Sequence, residues 1–170
     1  MATTAERDRW LEVIKYEVWM LGETFKMGAI QAPLSMAPSV VNAISESRLL
    51  HARNLCDFCS PPWRSNDLKP SDLFDNYDKA AKYTKLQSLV DGVTKAYTTD
   101  SCPVVMPDGS KELHSPKWAF DKKLAHPTQE RGISFDYSPF MNLVVPKLRL
   151  VVDEIGSLEK ADGRDFPTLG

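Results

Sequence analysis

"SVVNAISESRLLHARNLCDFCSPPW", residues 39–63, decides how this chain folds. Ser39 is a residue type that caps helices and the Pro61–Pro62 pair stops one, so the spacing predicts a helix from about Ser39 to about Cys59. Two stripes run along it: Leu49, Ala52, Cys56 and Cys59 on one side, and Ile44, His51, Leu55 and Phe58 on another. A helix that is apolar over most of its circumference is packed among several neighbours rather than laid on a surface. The stretch therefore predicts a central helix with a bundle around it.

On its N-terminal side, Thr3 and Glu6 have capping-box spacing, and Leu11, Ile14, Val18, Leu21 and Phe25 recur at three- and four-residue intervals. They predict an amphipathic helix that ends at Gly28 and the proline-bearing "QAPLSMAPS". On its C-terminal side, Arg64 to Asp78 reads as a polar surface crossing. Leu86, Val90, Val93 and Tyr97 then predict a helix ending near Thr99, in which Gly92 costs about 1 kcal/mol relative to alanine. Two prolines and the turn sequence "PDGS" lie between Asp100 and Ser115, where a hairpin or irregular excursion is expected.

Ser115–Pro116 and Ser138–Pro139 are both cap-then-first-turn pairs. The first predicts a short helix through Trp118 and Leu124 toward His126. The second predicts a long helix buried along Phe140, Val144, Leu148, Val151 and Ile155, kinked or broken at Pro146 and capped near Gly156. The expected fold is all-α: a bundle of about five helices with a short β-hairpin or irregular insertion around residues 100–115. One domain is expected over residues 1–158, with a loosely ordered tail over 159–170.

With 42% hydrophobic and 26% charged residues and a formal charge of −2, the 170-residue chain has the composition of a globular protein. It has no global field to attract nucleic acid or an anionic membrane, so any polyanion site must be local. No apolar run approaches the roughly 20 residues of a membrane-spanning helix, and "MATTAERDRW" lacks a secretory layout, which makes the expected location cytoplasmic, with no membrane partner.

Cys56-x-x-Cys59 has the spacing of a metal knuckle or a redox dithiol. Zinc needs four ligands, and the remaining candidates, Cys102, His51, His114 and His126, are scattered singly. The two cysteines also fall in register with Leu49 and Ala52, so core packing is the favoured reading, no metal or other cofactor is expected, and a zinc-stabilised interaction protein is the alternative. Glu46, Arg53 and Asp57 can form a charge ladder along one helical face. His51 and Asn54 are polar groups set in an apolar stripe and must find hydrogen-bond partners, for instance on a neighbouring helix. His114, beside a turn, reads as a solvated loop residue.

"NAISESRLLHARNLCDFC" at residues 42–59 and "FDKKLAHPTQER" at 120–131 together resemble the HEPN-like helical-bundle superfamily, especially small bacterial members with a His-Ala-Arg-Asn segment on one helix and a Lys-x-x-Ala-His segment on a later one. Active members are metal-independent RNases that carry an arginine four to six residues before a histidine and pair two copies. The resemblance implies an interaction or RNA-linked function in a bacterial defence or toxin–antitoxin setting, an RNA or protein partner, and a homodimer. It implies His126 as the proton-transfer residue, with Lys122, Arg131, His51 and Arg53 as further catalytic candidates and Asn54 and Lys123 as binding residues. The sequence departs from the pattern where the arginine should stand. Phe120, Asp121 and Lys122 occupy those positions, and lysine lacks the bidentate fork of arginine. Arg53 or Arg131 would have to replace it in space.

Overall fold

A computed structural model describes residues 3–29, 38–106, 108–124 and 136–169. The central helix is α2 (Pro38–Cys59), and it packs against α1 (Thr4–Ala29), α4 (Thr84–Thr98), α5 (Pro116–Leu124) and α6 (Ser138–Ala161). Its stripe Leu49, Ala52, Cys56, Cys59 is buried, and so are His51, Leu55 and Phe58 of the second stripe. The fold is the expected helical bundle, with a two-stranded antiparallel hairpin of β1 (Cys102–Val105) and β2 (Lys111–His114). Among the described residues no helix is long and apolar enough to cross a membrane.

The helix starts follow the local signals. The Glu6 amide donates to Thr3 Oγ1 at 3.2 Å and the Thr3 amide to Glu6 Oε2 at 2.8 Å, the reciprocal capping box. The Trp118 amide donates to Ser115 Oγ at 3.3 Å at the start of α5. At α6 Ser138 is already the first helical residue rather than the cap, and Asp136, two positions before it, accepts the Ser138 amide through Oδ1 at 2.8 Å. In the hairpin, Gly109 takes a left-handed φ of 83°, as its place in "PDGS" requires.

Several expectations are corrected. The crossing from Arg64 to Asp78 is not merely a surface segment: it contains the short helix α3 (Pro70–Leu73) and buries Leu73, Phe74 and Tyr77. Phe74, Tyr77 and Tyr83 form a ring cluster with centroids 5.1 to 6.4 Å apart. Pro146 does not break α6, which runs through it to Ala161. Pro146 and Asn142, whose carbonyl loses its helical partner, both face outward, where water can take that bond.

The tail expected to be loose is anchored. Glu159 is 1% exposed and bonds Arg164, which also reaches Asp8 of α1 at 3.4 Å. Leu169 is buried, and Phe166 packs beside Gly156, its Cβ 3.7 Å from where a Cβ at that position would stand. Gly156 is not a helix cap, because α6 continues past it to Ala161 with the returning tail packed alongside.

Candidate functional site

Glu17 lies on α1 one residue before the buried Val18, on the side that meets α2. Its Oε2 accepts hydrogen bonds from His51 Nδ1 at 2.7 Å and Asn54 Nδ2 at 3.1 Å. His51 is only 6% exposed, so this carboxylate supplies what burial of an imidazole demands. An ionised carboxylate only accepts, so Nδ1 is the donor nitrogen in this bond. The Tyr16 ring meets His51 edge-on, with centroids 5.9 Å apart. His51 is thus a core histidine satisfied by a neighbouring helix, and Asn54 shares its partner.

Arg53, one face further round α2, bridges to α5. Its Nη2 lies 2.9 Å from Asp121 Oδ1 and its Nε 3.4 Å from Asp57 Oδ2. Lys117 Nζ lies 3.2 Å from Asp121 Oδ2, and the Tyr97 hydroxyl donates to Asp57 Oδ1 at 2.9 Å. Burial and the Asp57 carboxylate push the Tyr97 hydroxyl far above its ordinary pKa, so it stays a donor. The ladder read along α2 is therefore half formed: Arg53 pairs with Asp57 as its spacing predicts, while its second partner is Asp121 on α5 rather than Glu46. Asp121 stands at one of the positions where the resemblance calls for an arginine, and the structure brings Arg53 to it.

These groups border a polar cleft of about 520 Å³ between α1, the C-terminal half of α2, the loop that follows it and the α4–α5 region. Glu17, Arg53, Asn54, Asp57, Arg64 and Lys117 all line it. The loop folds back over the end of α2 because Trp63 Nε1 donates to the carbonyls of Asp57 at 3.1 Å and Phe58 at 3.2 Å in the last turn of the helix. That turn sets Arg64 on the rim. Among the described residues the Arg64 guanidinium makes no ion pair, unlike Arg53 and Lys117.

The sequence-derived candidates divide accordingly. Arg53 and Asn54 line the cleft, and His51 is buried behind it on Glu17. Lys122 lies half-buried on α5, and Lys123 belongs to the same helix, its side chain outside the described residues. His126 and Arg131 also lie outside the described residues. Glu17, Arg64 and Lys117 were not among the candidates. Only Glu17 leaves a trace in the sequence, as a carboxylate flanking an otherwise apolar stripe.

His114 is not a solvated loop residue. It ends β2, stacks on Trp118 with centroids 3.5 Å apart, and bonds Glu112 through Nε2 at 2.8 Å. Cys56 and Cys59 are buried, and burial pushes both thiols up, Cys59 to about 12, which disfavours the thiolate that metal or redox chemistry needs. Among the described residues no group of three His, Cys, Asp or Glu side chains is placed to hold a metal ion.

No protein-family model, no curated protein and no solved structure matches this chain.

Proposed function

We propose that this chain is a HEPN-like helical-bundle protein that binds single-stranded RNA along the polar cleft. The observation that carries the reading is the meeting of Arg53, Arg64 and Lys117, from α2, the following loop and α5, around one cleft in a chain with almost no net charge. Among the described residues Arg64 is the cleft cation with no carboxylate partner, open to a phosphate, while Arg53 and Lys117 would exchange carboxylate partners for it. Asn54 offers a polar edge for bases. Because Glu17, Asp57 and Asp67 border the same cleft, binding should be modest and strongly weakened by salt. Fluorescence anisotropy with a short labelled RNA strand at low ionic strength tests this. Saturable binding weakened in Arg64→Ala supports it, and no binding at high protein concentration removes it.

A second reading, a metal-independent RNase, is favoured by the placement of Arg53 beside Asp121, close to where active members carry their arginine. In that reading His126 transfers the proton and Arg53 stabilises charge on the scissile phosphate. RNA cleavage in the presence of a chelator, abolished in both His126→Ala and Arg53→Ala, is the expected result. Binding without cleavage would leave the chain a non-catalytic member.

A further inference from the structure

We infer that the cleft selects a terminal phosphate, the doubly charged monoester at one end of an RNA strand, and that Asp57 and Asp121 impose this selectivity by holding the cations first. The inference rests on the proposed RNA binding and names the part of the strand that the cleft takes.

Size points to an end rather than to a run of nucleotides. A cleft of about 520 Å³ falls within the range of about 300–1,000 Å³ found for pockets that hold one small ligand. Its cations are also gathered at one spot instead of being strung along a path. Arg53 Nη2 lies 2.9 Å from Asp121 Oδ1 and its Nε 3.4 Å from Asp57 Oδ2. Lys117 Nζ lies 3.2 Å from Asp121 Oδ2 and 4.0 Å from Asp57 Oδ1. Two positive charges from different helices thus share the same two carboxylates, and an anion that reaches one of them reaches the other. Arg64 on the rim supplies a third cation.

Charge decides what can occupy that spot. Asp57 and Asp121 belong to the fold, and the Tyr97 hydroxyl donates to Asp57 Oδ1 at 2.9 Å, so the resident carboxylates are already in position. An incoming anion competes with groups that are intramolecular and therefore present at high effective concentration. An interior phosphodiester carries a single negative charge, as each carboxylate does, and gains nothing in the exchange. A phosphate monoester carries a charge of about −1.5 to −2 at neutral pH and offers three acceptor oxygens, one for each cation of the cleft. The carboxylates accordingly do two things at once: they hold Arg53 and Lys117 together, and they set a charge threshold that an interior phosphate does not pass.

Competition anisotropy with the full chain at low ionic strength tests this, using unlabelled strands of one sequence with a 5′-phosphate, with a 3′-phosphate, or with hydroxyls at both ends. One of the phosphorylated strands should bind at least about 10-fold more tightly than the hydroxyl-ended strand, and which one does so reports the direction in which the strand enters. Asp121→Asn frees Arg53 and Lys117 for interior phosphates, so the hydroxyl-ended strand should gain affinity and the preference should shrink at least about 3-fold. Asp91→Asn makes the same change of charge at an exposed position on α4 outside the cleft and should leave the preference as it is in wild type. Lys117→Ala, at a partly exposed side chain, probes the same cluster from the cation side should Asp121→Asn fail to fold, and it should weaken the phosphorylated strand more than the hydroxyl-ended one. Equal affinity of wild type for all the strands overturns the inference while RNA binding by the cleft stands. A preference that both Asp121→Asn and Lys117→Ala leave at its wild-type size overturns it as well. No binding of any strand, in wild type and Asp121→Asn alike, removes the RNA reading and the inference together.

Discussion

Glu17 is the residue on which the buried polar seam depends, because its one oxygen serves both His51 and Asn54. Glu17→Ala should destabilise the protein by about 1–3 kcal/mol, the usual consequence of leaving buried donors without an acceptor. Glu17→Gln, which keeps a carbonyl oxygen in place, should lose clearly less. Urea unfolding of the three proteins measures both. The sequence marks His51 and Asn54 as groups in need of a partner, since they interrupt an apolar stripe. It does not name the partner, because that depends on which way α1 and α2 lie against each other, and no spacing along one helix encodes it. The same division holds for Arg53. Asp57 is legible at four residues' distance on the same helix, whereas Asp121 is 68 positions away and is met only once α5 docks.

At the level of the elements, periodicity locates the four long helices, the Ser115–Pro116 cap signal locates the short α5, and the turn signals locate the hairpin. Errors fall where a single residue type has two meanings. Glycine near the end of a periodic run suggests a cap, yet α6 runs on past Gly156, which lies beside Phe166 of the tail. Proline suggests a break, yet Pro146 sits on an outward face that tolerates it. Gly92 has no such excuse: nothing lies within 4 Å of where its side chain would be, and it is inside α4. Gly92→Ala should therefore stabilise the protein by about 0.5–1 kcal/mol, read as a higher urea midpoint with an unchanged slope. The cysteines of α2 belong to its buried face. In the native protein Cys56, Cys59 and Cys102 should resist a neutral-pH thiol reagent, and all three should react once urea unfolds the chain. Fast modification of Cys56 or Cys59 in the folded protein would contradict the packing described for them.

Across the whole molecule, the bundle is legible because most of its stability comes from amphipathic faces that the sequence displays directly. The aromatic cluster of Phe74, Tyr77 and Tyr83 and the returning tail are not, because each buries side chains from stretches without helical period. Arg164 ties that tail to Glu159, and Arg164→Ala should destabilise the chain by about 2 kcal/mol. This is less than the 3–5 kcal/mol for breaking a fully buried pair, because Arg164 is partly exposed. The cleft likewise exists only when α1, α2, α5 and the loop at Arg64 come together, so its cations could not be grouped from their sequence positions. The measurement that bears most directly on its role is the salt dependence of RNA affinity in wild type and Arg64→Ala. If Arg64 neutralises a phosphate, the slope of log affinity against log salt should become shallower by about 0.7 in the variant. Equal slopes and equal affinities in the two proteins would contradict RNA binding at the cleft.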